Sequence, residues 1–291
     1  MVEPILKWAG GKRNLIPEIL NLFPADFKER AYHEPFIGGG AVFFKIRPKF
    51  GSINDINSHL MIFYHVVKDN PEELITTASQ YPYDEKTYYK LRDRFNQPNI
   101  TDTERAALLL YLNKTAYNGL YRVNSKGEFN VPFGRYKHPT IVIKKRIFAA
   151  SKVLKNVEHF NEDFSYVLDK ANEDDLCYFD PPYQPISKTA NFTSYSEQGF
   201  QLRDQERLRD LCVELHTKGV LFVLSNSYAT PVRKLYANID DFEVKIVQAK
   251  RIISSKSSTR GAVNEILVTN IPKEISRRGK RSSFYPLSAP M

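Results

Sequence analysis

The chain has 291 residues, 42% of them hydrophobic and 13% aromatic, which excludes wholesale disorder and suits one large domain or a domain carrying an insertion. No apolar run approaches the roughly 20 residues of a membrane-spanning helix and no signal-peptide pattern opens the chain, so a soluble, cytoplasmic protein is expected. The formal charge of +9 is localised: Lys114 to Arg146 carries eight Lys/Arg against Glu128 alone, and Lys273 to Arg281 carries five against Glu274. A nearly neutral remainder with a concentrated basic segment is the charge pattern of a nucleic-acid surface grafted onto another activity.

Residues 1–58 contain short apolar runs broken by glycine-rich turns. "KWAGGKRN", residues 7–14, fails as a phosphate-binding loop, because Leu6 stands where the first glycine belongs and Arg13 where Ser or Thr belongs. "HEPFIGGGAVFF", residues 33–44, places Phe36, Gly38, Gly39 and Gly40 between a short strand and an apolar helix start. Glycines at such a junction let a ligand approach the backbone, although a tight packing turn needs them equally. "INDIN" then sets Asp55 17 residues beyond Gly38, at the end of a second short apolar segment. An acid there suits ribose hydroxyls, and the combination points to a nucleoside-cofactor site.

Residues 59–155 read as helical and then as basic and turn-rich, with "NSKGE" between β-prone flanks marking an exposed hairpin. From 156 to 271, "LCYF", "VLFVLSN", "FEVKIVQ" and "EILVTN" read as strands alternating with helical segments. This is the signature of an α/β sheet, of which 1–58 and 156–271 form two parts separated by the 59–155 insertion. "KRIISSKSSTRGAV", residues 250–263, reads as a polar mobile loop, and 272–291 as a basic mobile tail. Cys177 and Cys212 lie among apolar residues and are expected to be buried and reduced. The six histidines show no HExxH spacing and no Cys/His cluster, so no metal site is expected.

The stretch "LCYFDPPY" puts Asp180, Pro181, Pro182 and Tyr183 at the carboxyl end of a buried strand, where open α/β sheets bind ligands. A nucleobase exocyclic amine is a poor nucleophile, since its lone pair is delocalised into the ring. Two fixed acceptors, a carboxylate and a proline-held carbonyl, would bind both N–H groups and draw the nitrogen toward tetrahedral geometry. The aromatic ring would stack on a base taken out of the helix. The tetrad alone leaves adenine, cytosine and other planar amides open.

"EPFIGGG" and "DPPY", in that order with a long basic segment between them, resemble the alpha-type amino-methyltransferases of DNA. With "LKWAGGKRNLIPEI", "INDIN", "AYNGLYRVNSKGEFNVPFGRYKHP" and "FTSYSEQGFQLRDQERL", the chain to about Lys273 is similar to the Dam-like DNA adenine-N6 methyltransferases, which use S-adenosylmethionine. The resemblance implies a Rossmann-like mixed sheet with an inserted, mostly helical recognition domain containing a β-hairpin. It implies a cofactor pocket of Trp8, Lys12, Phe36, Gly38, Gly40, Asp55, Asp163, Phe164 and Asp180. It implies that Asp180 and the Pro181 carbonyl accept the two amine hydrogens while Tyr183 stacks on adenine. On double-stranded DNA, Tyr117 and Leu120 would wedge at the bases, Asn118 would meet phosphate, and Arg122 would read a guanine edge, for which its forked guanidinium is suited. Lys7, Pro132, Arg135, Tyr136 and Lys137 are the other DNA-contact positions implied.

The expected substrate is adenine in GATC or a longer site beginning GAT, methylated by a monomer or weak dimer. A cognate restriction endonuclease would be a functional, not a physical, partner, and a solitary methylase remains open. The alternatives are cytosine-N4 methylation, which more often has Ser at the first tetrad position, and a DNA-binding regulator without catalysis.

Overall fold

Residues 2–183, 200–250 and 262–277 are described in a computed structural model of the chain. Seven strands form one mixed sheet: β1 (Tyr32–Glu34), β2 (Gly51–Asn54), β3 (Glu158–Phe160), β4 (Leu176–Phe179), β5 (Leu221–Ser227), β6 (Glu243–Lys250) and β7 (Ala262–Thr269), in the order β3-β2-β1-β4-β5-β7-β6. The pairs from β3 to β5 are parallel, and β7 lies antiparallel between β5 and β6. The two sequence halves of the sheet join where β1 pairs with β4, Tyr32 opposite Leu176 and His33 opposite Cys177. Strand order reverses at that junction, so the carboxyl ends of β1 and β4 flank a crevice of the kind in which open α/β sheets bind ligands.

"LCYF" is strand β4 to the residue, and it is buried throughout. Its side chains alternate between the two faces of the sheet, as the two-residue period of a strand requires. Leu176 and Tyr178 enter one hydrophobic cluster, and Cys177 and Phe179 the other. β3 was not anticipated: Glu158, His159 and Phe160 are exposed or half-buried at the sheet edge, and no apolar run announces them.

Helices α1 (Ile16–Leu22) and α2 (Phe43–Ile46) precede β1 and β2; between β2 and β3 the chain forms α3 (Ser58–Asp69), α4 (Pro71–Ser79), α5 (Glu85–Phe95), α6 (Asp102–Thr115) and α7 (Lys144–Leu154), and α8 (Val167–Lys170) leads to β4. α6 is buried without interruption from Ala106 to Asn113, the pattern of a helix surrounded by others. Thr101 caps its start by accepting from the Glu104 N–H at 3.2 Å. This helical segment shares a single apolar cluster with one face of the sheet, through Tyr64, Leu110 and Ile53.

The hairpin forms on isolated pairs rather than full strands. Val123 pairs with Phe129 and Ala116 with Phe133, and a turn closes where the Gly127 N–H donates to the Asn124 carbonyl at 3.0 Å. Cys177 and Cys212 are buried and free. Among the described residues no helix is long and apolar enough to cross a membrane, and no group of side chains could hold a metal ion.

The expected loop at 250–263 lies outside the described residues from 251 to 261, as does the expected tail from 278 onward. Residues 272–277 are tied to the N-terminal segment by their backbone: the Ala25 N–H donates to the Ile275 carbonyl at 2.9 Å, and the Arg277 N–H to the Phe23 carbonyl at 3.0 Å.

Candidate active site

The turn after β4 brings Asp180 to the switch point. Its Oδ1 lies 2.7 Å from the Lys12 ammonium and accepts from the Ser225 hydroxyl at 3.0 Å. Lys12 is buried, also donates to the Gly10 carbonyl at 2.7 Å, and stands 4.5 Å over the centre of the Tyr183 ring. Burial pushes the Asp180 carboxyl above its ordinary value, opposed by Lys12 and the Ser225 hydroxyl. The charge-assisted contacts favour the ionised form of this buried carboxyl.

Three further contacts hold this turn. Gln205, on α9 (Leu202–Thr217), donates from Nε2 to the Pro182 carbonyl at 3.4 Å. Asn226 on β5 fixes that amide by donating to its Oε1 at 2.8 Å. The Tyr183 hydroxyl donates to Glu265 on β7. Ser225, Asn226 and Glu265 carry no recognisable motif and were missed in the sequence, and Gln205, inside "FTSYSEQGFQLRDQERL", was not singled out. The polar positions within the "VLFVLSN" and "EILVTN" strands were the available signal.

The glycine turn after β1 sits beside Asp55. Asp55 accepts from the Gly38 N–H at 3.0 Å through one oxygen and from the Asn57 N–H at 3.0 Å through the other. Burial pushes its carboxyl up to about 6, against the pull of those two N–H groups. The backbone at Gly38 is left-handed, with φ 46°, and a Cβ there would meet the Trp8 ring at 3.0 Å. Trp8, Gly38 and Asp55, distant in sequence, are therefore in one place. Gly40 packs by Phe44, with Tyr64 donating to the Gly38 carbonyl at 2.7 Å. Phe36 and Phe164 lie 5.4 Å apart with Phe200 closing an aromatic trio, and Asp163 is bonded by Ser165 and by Arg207 at 2.9 Å.

The N-terminal segment connects this crevice to the hairpin. Trp8 stacks on Tyr121 of the hairpin at 5.3 Å. The buried Asn113 side chain clasps the Lys7 backbone, accepting from its N–H at 2.8 Å and donating to its carbonyl at 2.7 Å. The Lys7 ammonium stands 4.9 Å over the Tyr136 ring, whose hydroxyl donates to the Ala116 carbonyl at 3.1 Å. Lys114 donates to the Ile5 carbonyl, and burial pulls its ammonium down to about 8.

Tyr117 is 47% exposed and Asn118 is exposed with a left-handed φ of 54°, while Leu120 packs against the core. Arg122 is half-buried and reaches across the hairpin, its Nε donating to the Asn130 amide oxygen at 2.7 Å. Pro132, Arg135 and Lys137 are exposed, and Arg135 also pairs with Glu85 at 3.3 Å. The expected residues thus form two groups, one in the crevice and one on the hairpin, and residues 7–12 run between them.

The family of D12 class N6 adenine-specific DNA methyltransferases matches residues 8–253 of the chain. The type II methyltransferase M1.LlaDCHI of Lactococcus lactis subsp. cremoris is 43% identical over 276 residues, covering 92% of this chain and 95% of the relative. The type II methyltransferase M.MjaIII of Methanocaldococcus jannaschii is 42% identical over 92% of this chain and 99% of its own length. The DNA adenine methylase of Escherichia coli K12 is 36% identical over 93% and 96%. A match of this extent, on a chain whose aspartate, two prolines and tyrosine stand at the switch point of a Rossmann-like sheet, makes it an adenine-specific DNA methyltransferase of the D12 class.

Proposed function

We propose that the enzyme methylates N6 of an adenine flipped out of duplex DNA, within GATC or a longer site beginning GAT, with S-adenosylmethionine as the methyl donor. The observation that carries this reading is the Asp180 turn at the switch point, where the Asp180 carboxylate and the Tyr183 ring meet the same Lys12 ammonium. The donor set fits the cofactor: an acid at the end of β2 for ribose hydroxyls, an aromatic trio for a purine, and polar groups at the end of β4. Trp8, Lys12, Phe36, Gly38, Gly40, Asp55, Asp163, Phe164 and Asp180 would hold it. When bound, it supplies an electrophilic methyl group on a sulfonium sulfur.

The chain's own residues do the positioning. Asp180 and the Pro181 carbonyl accept the two N6 hydrogens, and Tyr183 offers its ring to the base. Because the amine attacks the methyl carbon directly, orientation and fixed acceptors supply the rate enhancement, and neither buried cysteine is needed as a nucleophile. Residues 1–58 and 156–271 act as the catalytic domain and 59–155 as the recognition domain. In the latter, Tyr117 and Leu120 wedge at the bases, Asn118 meets phosphate, and Arg122 reads guanine after exchanging its bond to Asn130. Lys7, Pro132, Arg135, Tyr136 and Lys137 complete the contact. The enzyme acts on one strand at a time as a monomer or weak dimer. The type II names of two relatives favour pairing with an endonuclease of the same specificity.

Labelled S-adenosylmethionine incubated with GATC-containing and GATC-free duplexes tests the reading, with digestion to nucleosides to identify the modified base. Label on N6-methyladenine in the first duplex alone is expected. Label in neither duplex overturns the proposal, and equal label in both overturns the site assignment.

A further inference from the structure

The tyrosine of the catalytic turn is held at its ring face and at its hydroxyl by two different side chains. Its ring faces the Lys12 ammonium at 4.5 Å, and its hydroxyl donates to a Glu265 carboxylate oxygen. Glu265 is 8% exposed and lies on β7, opposite Ser227 of β5. Its location follows from the reversed direction of β7. The parallel strands bring their carboxyl ends to the crevice, so only an antiparallel strand delivers its amino-terminal half there. Glu265 stands in the first half of β7, and its side chain meets Tyr183, which the chain carries three residues past Asp180.

We propose that Glu265 is a positioning residue that fixes the Tyr183 ring as the stacking platform for the target base. This deepens, and rests on, the proposed adenine methylation. A tyrosine at a turn has two free side-chain torsions, and the backbone alone leaves its ring several orientations. A hydrogen bond to a carboxylate is shorter and stronger than one between neutral groups, and here it pins the far end of the ring. With Lys12 across one face, only the opposite face is left for a base. Glu265 acts on the reaction through Tyr183.

The test uses the full chain and three variants: Glu265→Ala, Glu265→Gln and Tyr183→Phe, with the double variant Glu265→Ala/Tyr183→Phe. Cofactor affinity is read from the fluorescence of Trp8, the chain's single tryptophan. Single-turnover methyl transfer is read on a duplex, and base stacking on the same duplex with 2-aminopurine at the target position. Glu265→Ala is expected to slow transfer by roughly 10²-fold, the cost of a small misplacement at a reacting centre, with cofactor affinity unchanged. The bound 2-aminopurine should emit more strongly, because an unstacked base is less quenched. Glu265→Gln, which keeps an acceptor, should recover most of the rate. Tyr183→Phe should match Glu265→Ala, and the double variant should be no slower than either.

A wild-type rate in Glu265→Ala overturns the proposal, as do defects that multiply in the double variant. If Glu265→Ala does not fold, Tyr183→Phe decides: it keeps the ring and loses only the hydroxyl, and a wild-type rate there overturns the proposal. A wild-type chain that methylates no adenine would overturn the proposed function itself, an outcome separate from any difference among the variants.

Discussion

Lys12 and Asp180, 168 positions apart in the chain, form an ion pair 2.7 Å long in which the lysine side chain is 5% exposed. The pair opposes the burial that pushes the Asp180 carboxyl above its ordinary value. On the proposed mechanism an arriving amine would share the Asp180 oxygens with an ammonium already in place.

Lys12→Met should therefore move the acid limb of the pH–rate profile upward. The buried cation lowers the carboxyl, so its removal raises it, by roughly 1–3 pH units for a charge at this distance. Activity that requires the carboxylate is then lost at a higher pH than in the wild type. An unmoved acid limb in single-turnover rates across pH would show that Asp180 ionisation does not govern the reaction.

Asp180→Ala should abolish methyl transfer, with a loss of at least about 10³-fold. It also strands the Lys12 ammonium in the interior, and leaving a buried charge unpaired costs about 3–5 kcal/mol. Asp180→Asn avoids most of that cost. The check is a denaturant melt of both variants beside their transfer rates; near-normal transfer in either removes Asp180 from the chemistry.

Cofactor binding should weaken below pH 6. The Asp55 carboxyl stands at about 6, and ribose hydroxyls bind its ionised form, so affinity is full above that value and falls as the group takes up a proton. For one linked proton the decline is about tenfold per pH unit. Trp8 fluorescence titrations at several pH values measure it, and Asp55→Asn should flatten the dependence.

Arg122→Ala should relax discrimination at one base pair by about 1–3 kcal/mol, measured by transfer rates on duplexes substituted at each position of the site. Equal weakening on every sequence would mark Arg122 as a phosphate contact.

Asn113→Ala should destabilise the chain by about 1–3 kcal/mol in a denaturant melt, because it removes two part-buried hydrogen bonds, to the Lys7 N–H and carbonyl, that a buried side chain makes. The apparent KM for DNA should rise with it, since Lys7 loses its hold beside Tyr136.

The parts legible in the sequence were those whose chemistry is local. Asp180 through Tyr183 are consecutive, and the doubled proline fixes their backbone wherever the strand before them is placed. Gly38 and Asp55 were linked by a spacing that a βαβ unit imposes, and they are joined in space by a hydrogen bond of 3.0 Å. The β4 strand was readable because a strand buried on both faces has four apolar residues in a row. β3 was unreadable for the converse reason: it is a three-residue edge strand with little to bury.

The partners of the catalytic turn are another matter. Ser225, Gln205 and Glu265 are ordinary polar residues within a strand, a helix and a strand, and what gives them a role is the order β4-β5-β7 together with the reversal of β7. "KWAGGKRN" lacks the residues of a phosphate loop, and nothing local said that Lys12 would pair with Asp180 or that Lys7 would be clasped by Asn113. Chemistry carried by adjacent residues survives in the sequence because covalent connection already sets its geometry. Which cation neutralises which carboxylate, and which carboxylate holds the tyrosine, depended on contacts that exist only after the sheet has brought distant segments to one edge.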